Sequence, residues 1–283
     1  MPPLHDVRRA GAPTGGHPRV YAVGDNTLDV YAGQIAGTLV GGNALNVAAQ
    51  LARHGVAVEY AGAIGDDDAG GLIRAAVRDA GVGVRDLVMV QGESAVTTIE
   101  VLESGDRIFT SEVFGVTAAY APADDAVARA ASCEWVHIGM IPDASRVRAR
   151  LKAANPDVVI SQDCAVSSGT DNLDVAIWSV GADRAAAEAT LASGLTSGPS
   201  VVVVTMGADG AIASDGNRVV HQPAIGTAIV DTTGAGDSFI AGFIAARLDG
   251  LPLDVAMLTA SEWAAATCAH LGGWPQPFVG PAT

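Results

Sequence analysis

Short apolar runs, each stopped by glycine or a polar turn and followed by residues at helical spacing, recur along most of this chain, and that alternation admits few architectures. The first run, Arg19-Val20-Tyr21-Ala22-Val23, stops at Gly24-Asp25-Asn26. Gly41-Gly42-Asn43 then opens a helical pattern with Ala44, Val47, Ala48, Leu51 and Ala52 on one face, ended by Gly55. Val56 to Tyr60 reads as a strand, Gly62 to Gly65 as a turn, and Asp66-Asp67-Asp68 as the cap of a helix reaching about Ala80. Further strands are expected near Trp135–Ile138, Val158–Ser161, Ala176–Val180 and Val201–Thr205, and Thr227–Val230 is strand-like. This order predicts an α/β fold: a doubly wound, mostly parallel sheet with helices on both faces and ligands beyond the carboxyl ends of its strands.

One stretch breaks the rhythm. From Thr97 to Thr117 apolar and polar residues alternate around Ser104-Gly105-Asp106, which predicts an antiparallel hairpin. A hairpin fits poorly inside a parallel sheet, so it is placed outside, as a small β-sheet lid built from segments at about 29–41 and 96–117. Residues 1–18 are Pro/Gly-rich and expected to be a disordered tail; residues 19–283 read as one unit without internal repeats.

Charge and rare residues exclude several functions. A formal charge of -15 disfavours nucleic acid and anionic membrane as partners. Of 16 basic residues only Lys152 is lysine, so the Gly-Lys-Ser/Thr of a P-loop cannot be built. The one G-x-G before a helix is late in the chain and has Phe239 at the third glycine position of a dinucleotide-binding fingerprint. Cys133, Cys164 and Cys268 have neither disulfide arithmetic nor metal spacing, which suits a reduced compartment. No run of about 18 apolar residues occurs, so no membrane span is expected and the cytoplasm is the expected location.

The stretch richest in chemistry is Asp231-Thr232-Thr233-Gly234-Ala235-Gly236-Asp237-Ser238-Phe239, leading into a helix with Phe239, Ile240, Phe243, Ile244 and Leu248 as its apolar positions. Gly234 and Gly236 let a ligand approach the backbone, and free N–H groups at a helix start make a positive pocket for an anion. Asp237, in the first turn, is placed to take a proton from an attacking hydroxyl, and Asp231 can offer oxygens to a cation. A bare G-x-G-D is more often only a tight βα turn with a helix cap.

The whole string, however, resembles the second signature of the PfkB/ribokinase family of carbohydrate kinases, D-T-x-G-A-G-D. Gly41-Gly42-Asn43-Ala44-Leu45-Asn46-Val47-Ala48 and Gly62-Ala63-Ile64-Gly65-Asp66-Asp67-Asp68-Ala69-Gly70 are similar to its first signature. The resemblance spans Val20 to Gly273 and implies a ribokinase-like fold, ATP with Mg²⁺, potassium as a further cation, a sugar acceptor and a homodimer. It implies that Asp237 is the general base, that Gly234, Ala235 and Gly236 form the anion hole, and that Asp231 lies near the monovalent-cation site. Asp29, Gly41, Gly42, Asn46 and, in the hairpin, Arg107 would contact substrate. Thr205, Gly207 and Gly210, in a string similar to the family's T-x-G-x-x-G loop, would contact the nucleotide.

Two departures stand out. Asn43 takes the place of a lysine common in ribokinases, and the family's N-x-x-E is missing from Ser179-Val180-Gly181-Ala182-Asp183-Arg184, leaving Asp183 or Glu188 as substitutes. Gly24-Asp25-Asn26, Gly42-Asn43-Ala44, Asp106-Arg107 and Gly273-Trp274 resemble fructoselysine 6-kinase-like members. The implied reaction is transfer of the γ-phosphate of ATP to a hydroxyl of a sugar derivative such as a fructosamine. Ribokinase-like, fructokinase-like and nucleoside kinase activities, or a non-catalytic sugar-binding relative, are the alternatives.

Overall fold

A computed structural model describes residues 18–33, 35–101 and 107–280. The tail expected over residues 1–18 lies outside them but for its last residue, as do Ser104, Gly105 and Asp106 of the hairpin turn. In chain order the elements are β1 (Val20–Val23), β2 (Thr27–Gly33), β3 (Gly37–Gly41), α1 (Asn43–Arg53), β4 (Val58–Gly65), α2 (Asp68–Asp79), β5 (Gly83–Val90), β6 (Val96–Val101) and β7 (Arg107–Val113). They continue with α3 (Asp124–Ala131), β8 (Trp135–Ile138), α4 (Ala144–Ala154), β9 (Val159–Asp163), β10 (Val175–Ser179), α5 (Arg184–Thr196), β11 (Val201–Thr205), β12 (Ala211–Ser214), β13 (Val219–Gln222), α6 (Ala235–Leu248) and α7 (Leu253–Thr267).

The large sheet has the order β13-β12-β11-β10-β9-β8-β1-β4-β5. Neighbours from β5 to β11 pair in parallel, while β12 and β13 fold back antiparallel. Alternation along β1 shows how the layers form. Val20 and Ala22 enter the core shared with α1, α2, α6 and α7, whereas Tyr21 and Val23 enter the one shared with α3 and α4. Helix α5 covers the β11 end of that second face through Ala187 and Leu191. The chain builds outward from β1 to β4 and β5, then returns to the other side of β1 with β8, so the order reverses at the carboxyl end of β1. That reversal opens the crevice in which α/β sheets bind ligands.

The small sheet has the order β3-β2-β6-β7, with β2 antiparallel to β3 but parallel to β6. Its inner end is closed by the chain's last described residues. The Gln276 side chain bonds both backbone groups of Val40, and Thr38 bridges to Val279. The hairpin is shorter than expected: β7 stops at Val113, and Gly115–Ala119 is a turn of 3₁₀ helix.

Thr227–Val230 is not a strand. This β-prone stretch runs as a loop in which Ile229 is 70% exposed and the Val230 N–H donates to the Cys268 backbone O (2.8 Å). The sequence pattern does not mark β5, β12 and β13 as strands. β5 and β13 are edge strands with mixed exposure, so neither shows the continuous apolar run that marked the buried strands.

Candidate active site

The crevice begins where β1 ends. The Asp25 carboxylate accepts the backbone N–H groups of Asn43 (2.8 Å) and Ala44 (3.1 Å), two donors at the start of α1 that have no partner within the helix. Asp25 thus fastens the α1 N-terminus to β1, and the Gly41-Gly42-Asn43 turn is held against the sheet. Asn43 does not cap its own helix; Gly42 is the N-cap. The Asn43 amide instead donates to Asp163 (2.7 Å) and to Asp237 (2.7 Å).

Asp237 sits three residues into α6, behind Gly234, which begins the helix with a left-handed φ of 73°. No side chain would be tolerated there, because a Cβ on Gly234 would lie 2.4 Å from the Gly273 Cα. Both carboxylate oxygens of Asp237 accept from asparagine amides, Oδ1 from Asn43 and Oδ2 from Asn46 (2.6 Å). Burial lifts its pKa well above the ordinary carboxylate range; the Asn46 amide opposes the shift, and the charges of Asp163 and Asp25 add to it. A carboxylate so placed has a high affinity for a proton and neutral donors to orient it.

Two cavities meet at this turn. One of about 760 Å³ is lined by Asp25, Asp29, Gly42, Asn46, Glu112, Gly234 and Asp237, among others. The second, of about 540 Å³, is lined by Thr205, Gly207, Gly210, Ala235, Gly236 and Phe239, among others. Ile229 and Thr232 border both. The sequence-predicted residues therefore fall into two groups on either side of residues 234–237. Asp29, Gly42, Asn46, Gly234 and Asp237 share the first cavity; Thr205, Gly207, Gly210, Ala235 and Gly236 share the second. A Cβ on Gly236 would meet nothing within 4 Å, so the space beside its backbone is open.

Gly41 supports the first cavity without lining it. A Cβ there would lie 2.3 Å from the Asp29 Oδ2, so the glycine makes room for that carboxylate. Asp29 is 5% exposed and, among the described residues, no hydrogen bond reaches its carboxylate. Burial raises its pKa to about 8, helped by the charges of Asp231, Asp25 and Glu112. Arg107 lies on the backbone of β7, but its side chain is outside the described residues.

Asp231 is fully buried behind the turn. Its Oδ2 accepts from the Tyr31 hydroxyl (3.1 Å) and the Gly272 N–H (2.9 Å), and its Oδ1 from the Thr233 N–H (2.9 Å). It braces the loop against the small sheet and the C-terminal segment. The replacements considered for N-x-x-E face elsewhere: Asp183 caps α5 by accepting the Ala186 N–H (2.9 Å), and Glu188 pairs with Arg184 (3.0 Å) on the same helix.

Three residues outside the sequence signatures complete the arrangement. Asp163, at the end of β9, has its pKa raised by burial against the pull of the Ala165 N–H and the Asn43 amide. Arg148 is fully buried and holds the loop after β9 by donating to Gln162, to the Asp171 backbone O (2.6 Å) and to the Asp171 carboxylate (2.8 Å). Gly273 packs behind Asn46, where a Cβ would lie 2.3 Å from its Oδ1. The one available signal for Asp163 was its place at the carboxyl end of a parallel strand.

Residues 27–155 and 172–276 match the family described as pfkB family carbohydrate kinase. The chain is 32% identical to a fructoselysine 6-kinase of Shigella flexneri, over 89% of this chain and 98% of that protein. It is 33% identical to the fructosamine kinase FrlD of Bacillus subtilis, over 92% of this chain and 95% of that protein. In three dimensions it is similar to Arabidopsis thaliana ribokinase complexed with ribose and ATP, with a TM-score of 0.81 at 22% identity, covering 91% of this chain and 94% of that one.

Proposed function

From a chain that belongs to the pfkB family of carbohydrate kinases, we propose an ATP-dependent kinase that phosphorylates a hydroxyl of a fructosamine. The observation that carries this reading is the meeting of two cavities at residues 234–237, with a carboxylate on one side and open backbone on the other. The sugar occupies the cavity lined by Asp29, Gly42 and Asn46. The nucleotide occupies the cavity lined by Thr205, Gly207 and Gly210, with its terminal phosphate against Gly234, Ala235 and Gly236.

In-line transfer asks little covalent chemistry of the protein. Asp237 accepts the proton of the attacking hydroxyl, and its raised proton affinity suits that task. Backbone N–H groups at the start of α6 face the charge that grows on the transferred phosphoryl, in a cavity whose lining among the described residues includes no carboxylate to oppose it. The family's magnesium-orienting pair is absent and its nearest acidic residues are engaged on α5. Magnesium therefore belongs to this account only as part of the nucleotide cosubstrate, and no step is assigned to it. Asp231, already engaged by three donors, acts as a brace of the loop. Exposed Ile108 on the edge strand β7, with Val113 and Phe114 exposed where that strand meets the sugar cavity, supports a homodimer, which a monomeric mass by light scattering would overturn.

The fructosamine acceptor is supported by the two relatives of that activity, each matched over nine-tenths or more of its length. The test is ADP release from ATP with fructoselysine, fructose, ribose and a nucleoside. The expected outcome is the highest kcat/KM with fructoselysine. Binding of sugars without ADP release above background would contradict the reading.

A further inference from the structure

The cavity assigned to the sugar is acidic in a way that hydroxyl recognition alone does not require. Asp25, Asp29, Glu112 and Asp237 line it, and among the described residues no lysine, arginine or histidine does. Two of the four have structural partners: Asp25 holds the start of α1, and Asp237 is held by Asn43 and Asn46. Asp29 and Glu112 remain. The Asp29 carboxylate is more than nine-tenths buried and receives no hydrogen bond from any described residue, so its partner comes from what fills the cavity, solvent or a ligand.

The register of the small sheet relates these two. Asp29 of β2 is opposite Thr97 of β6, and Thr97 is opposite Glu112 of β7. The three residues form one row across adjacent strands, and all three line the cavity. Strand spacing puts the Cα atoms of Asp29 and Glu112 about 10 Å apart. That span fits a monosaccharide with a short substituent. Thr97 lies between them with its hydroxyl 3.0 Å from that of Thr27, a polar but uncharged midpoint. Asp29 lies deep in the row, and Glu112 lies exposed at its outer end.

We propose that Glu112 is a specificity-determining residue that pairs with a protonated amine on the acceptor sugar, so that the cavity selects amine-bearing sugars over neutral and anionic ones. This rests on the assignment of the cavity as the sugar site of a kinase. An amine of this kind is protonated at neutral pH, and the exposed Glu112 carboxylate offers it an opposite charge at the outer end of the row. A sugar phosphate or sugar acid would meet that carboxylate with no described cationic side chain to offset it. Discrimination then comes from attraction and repulsion at one wall.

The experiment compares kcat/KM for fructoselysine with that for fructose, in the wild type and in Glu112→Gln and Glu112→Lys. Both changes are at an exposed position on β7, and melting temperatures verify folding. The expected result is a fall of about 10- to 100-fold in the fructoselysine-to-fructose ratio with glutamine, and a larger fall with lysine. A ratio within twofold of the wild type in both folded variants would overturn the assignment of Glu112. Absence of ADP release from the wild type with every sugar would instead overturn the kinase reading on which the proposal rests, so the two failures are distinguishable.

Discussion

The two cavities that meet at residues 234–237 are built from opposite materials. The one assigned to the sugar has four carboxylates in its lining and no described cationic side chain; the one assigned to the nucleotide is lined, among the described residues, by glycine, alanine, serine, threonine and apolar residues and by no charged side chain. The more highly charged ligand is thus placed in the uncharged cavity. In a chain of net charge -15, keeping carboxylates out of the phosphate's surroundings matters as much as supplying donors, and the donors come from the backbone at the start of α6. The difference teaches that, under the proposed assignment, anion binding would be a property of chain geometry and sugar binding a property of side chains. Substitutions should therefore act on one cavity or the other, with Asp237 at the boundary.

The largest expected effect is at that boundary. Asp237→Asn keeps the size of the side chain and one oxygen acceptor, and a flip of the Asn46 amide, whose Oδ1 has no partner, restores the second hydrogen bond. Binding and melting temperature should change little while kcat falls by about 10²–10⁴, the usual contribution of a positioned base. Steady-state kinetics with a melting curve check this. Full activity would reduce Asp237 to a structural member of α6.

A smaller effect is expected from Asp29→Asn on the stability of the ligand-free protein. Burial pushes the Asp29 carboxyl up to about 8 from its ordinary 3.8, so at neutral pH the folded protein holds a proton that the unfolded chain has lost. Stability contributed by this group is complete below about pH 4, falls as pH rises, and is gone above about pH 8. Asparagine never carries the charge. Its stabilising advantage over aspartate should therefore grow from pH 5 to pH 8.5, by about 1–3 kcal/mol with water reaching the group through the open cavity. Denaturant unfolding at both pH values measures it, and an advantage that shrinks with pH would contradict the assigned shift.

The same contrast explains what could be read in the chain before its structure. Glycine-rich turns at Gly41-Gly42 and Gly234-Ala235-Gly236 were legible because backbone geometry leaves a local signature: only certain residues fit, at fixed spacing. The buried strands were legible as apolar runs for the same reason. Side-chain chemistry assembled across the fold was not. Asp163 comes from β9, more than seventy residues from Asp237, and the Asn43 amide that joins them stood out in the sequence only as a replacement for a lysine. The row Asp29–Thr97–Glu112 exists only through the register of three strands, of which β2 and β6 pair in parallel. Thr227–Val230 was misread in the other direction. Its composition favours a strand, but Ile229 borders both cavities and the Val230 N–H bonds the Cys268 carbonyl after α7 rather than a strand.

The central claim is the division of labour between the cavities, and a crossed binding experiment tests it most directly. Dissociation constants for fructoselysine and for a non-hydrolysable ATP analogue are measured by calorimetry in Asp29→Ala and Gly236→Val. Asp29→Ala should weaken the sugar by about 1–3 kcal/mol, roughly 5- to 150-fold, and leave the nucleotide within a factor of two. Gly236→Val, whose side chain would enter the open space beside the α6 N-terminus, should weaken the nucleotide and spare the sugar. Loss of the nucleotide in the Asp29 variant with the sugar retained, or equal losses of both ligands in either variant, would contradict the account.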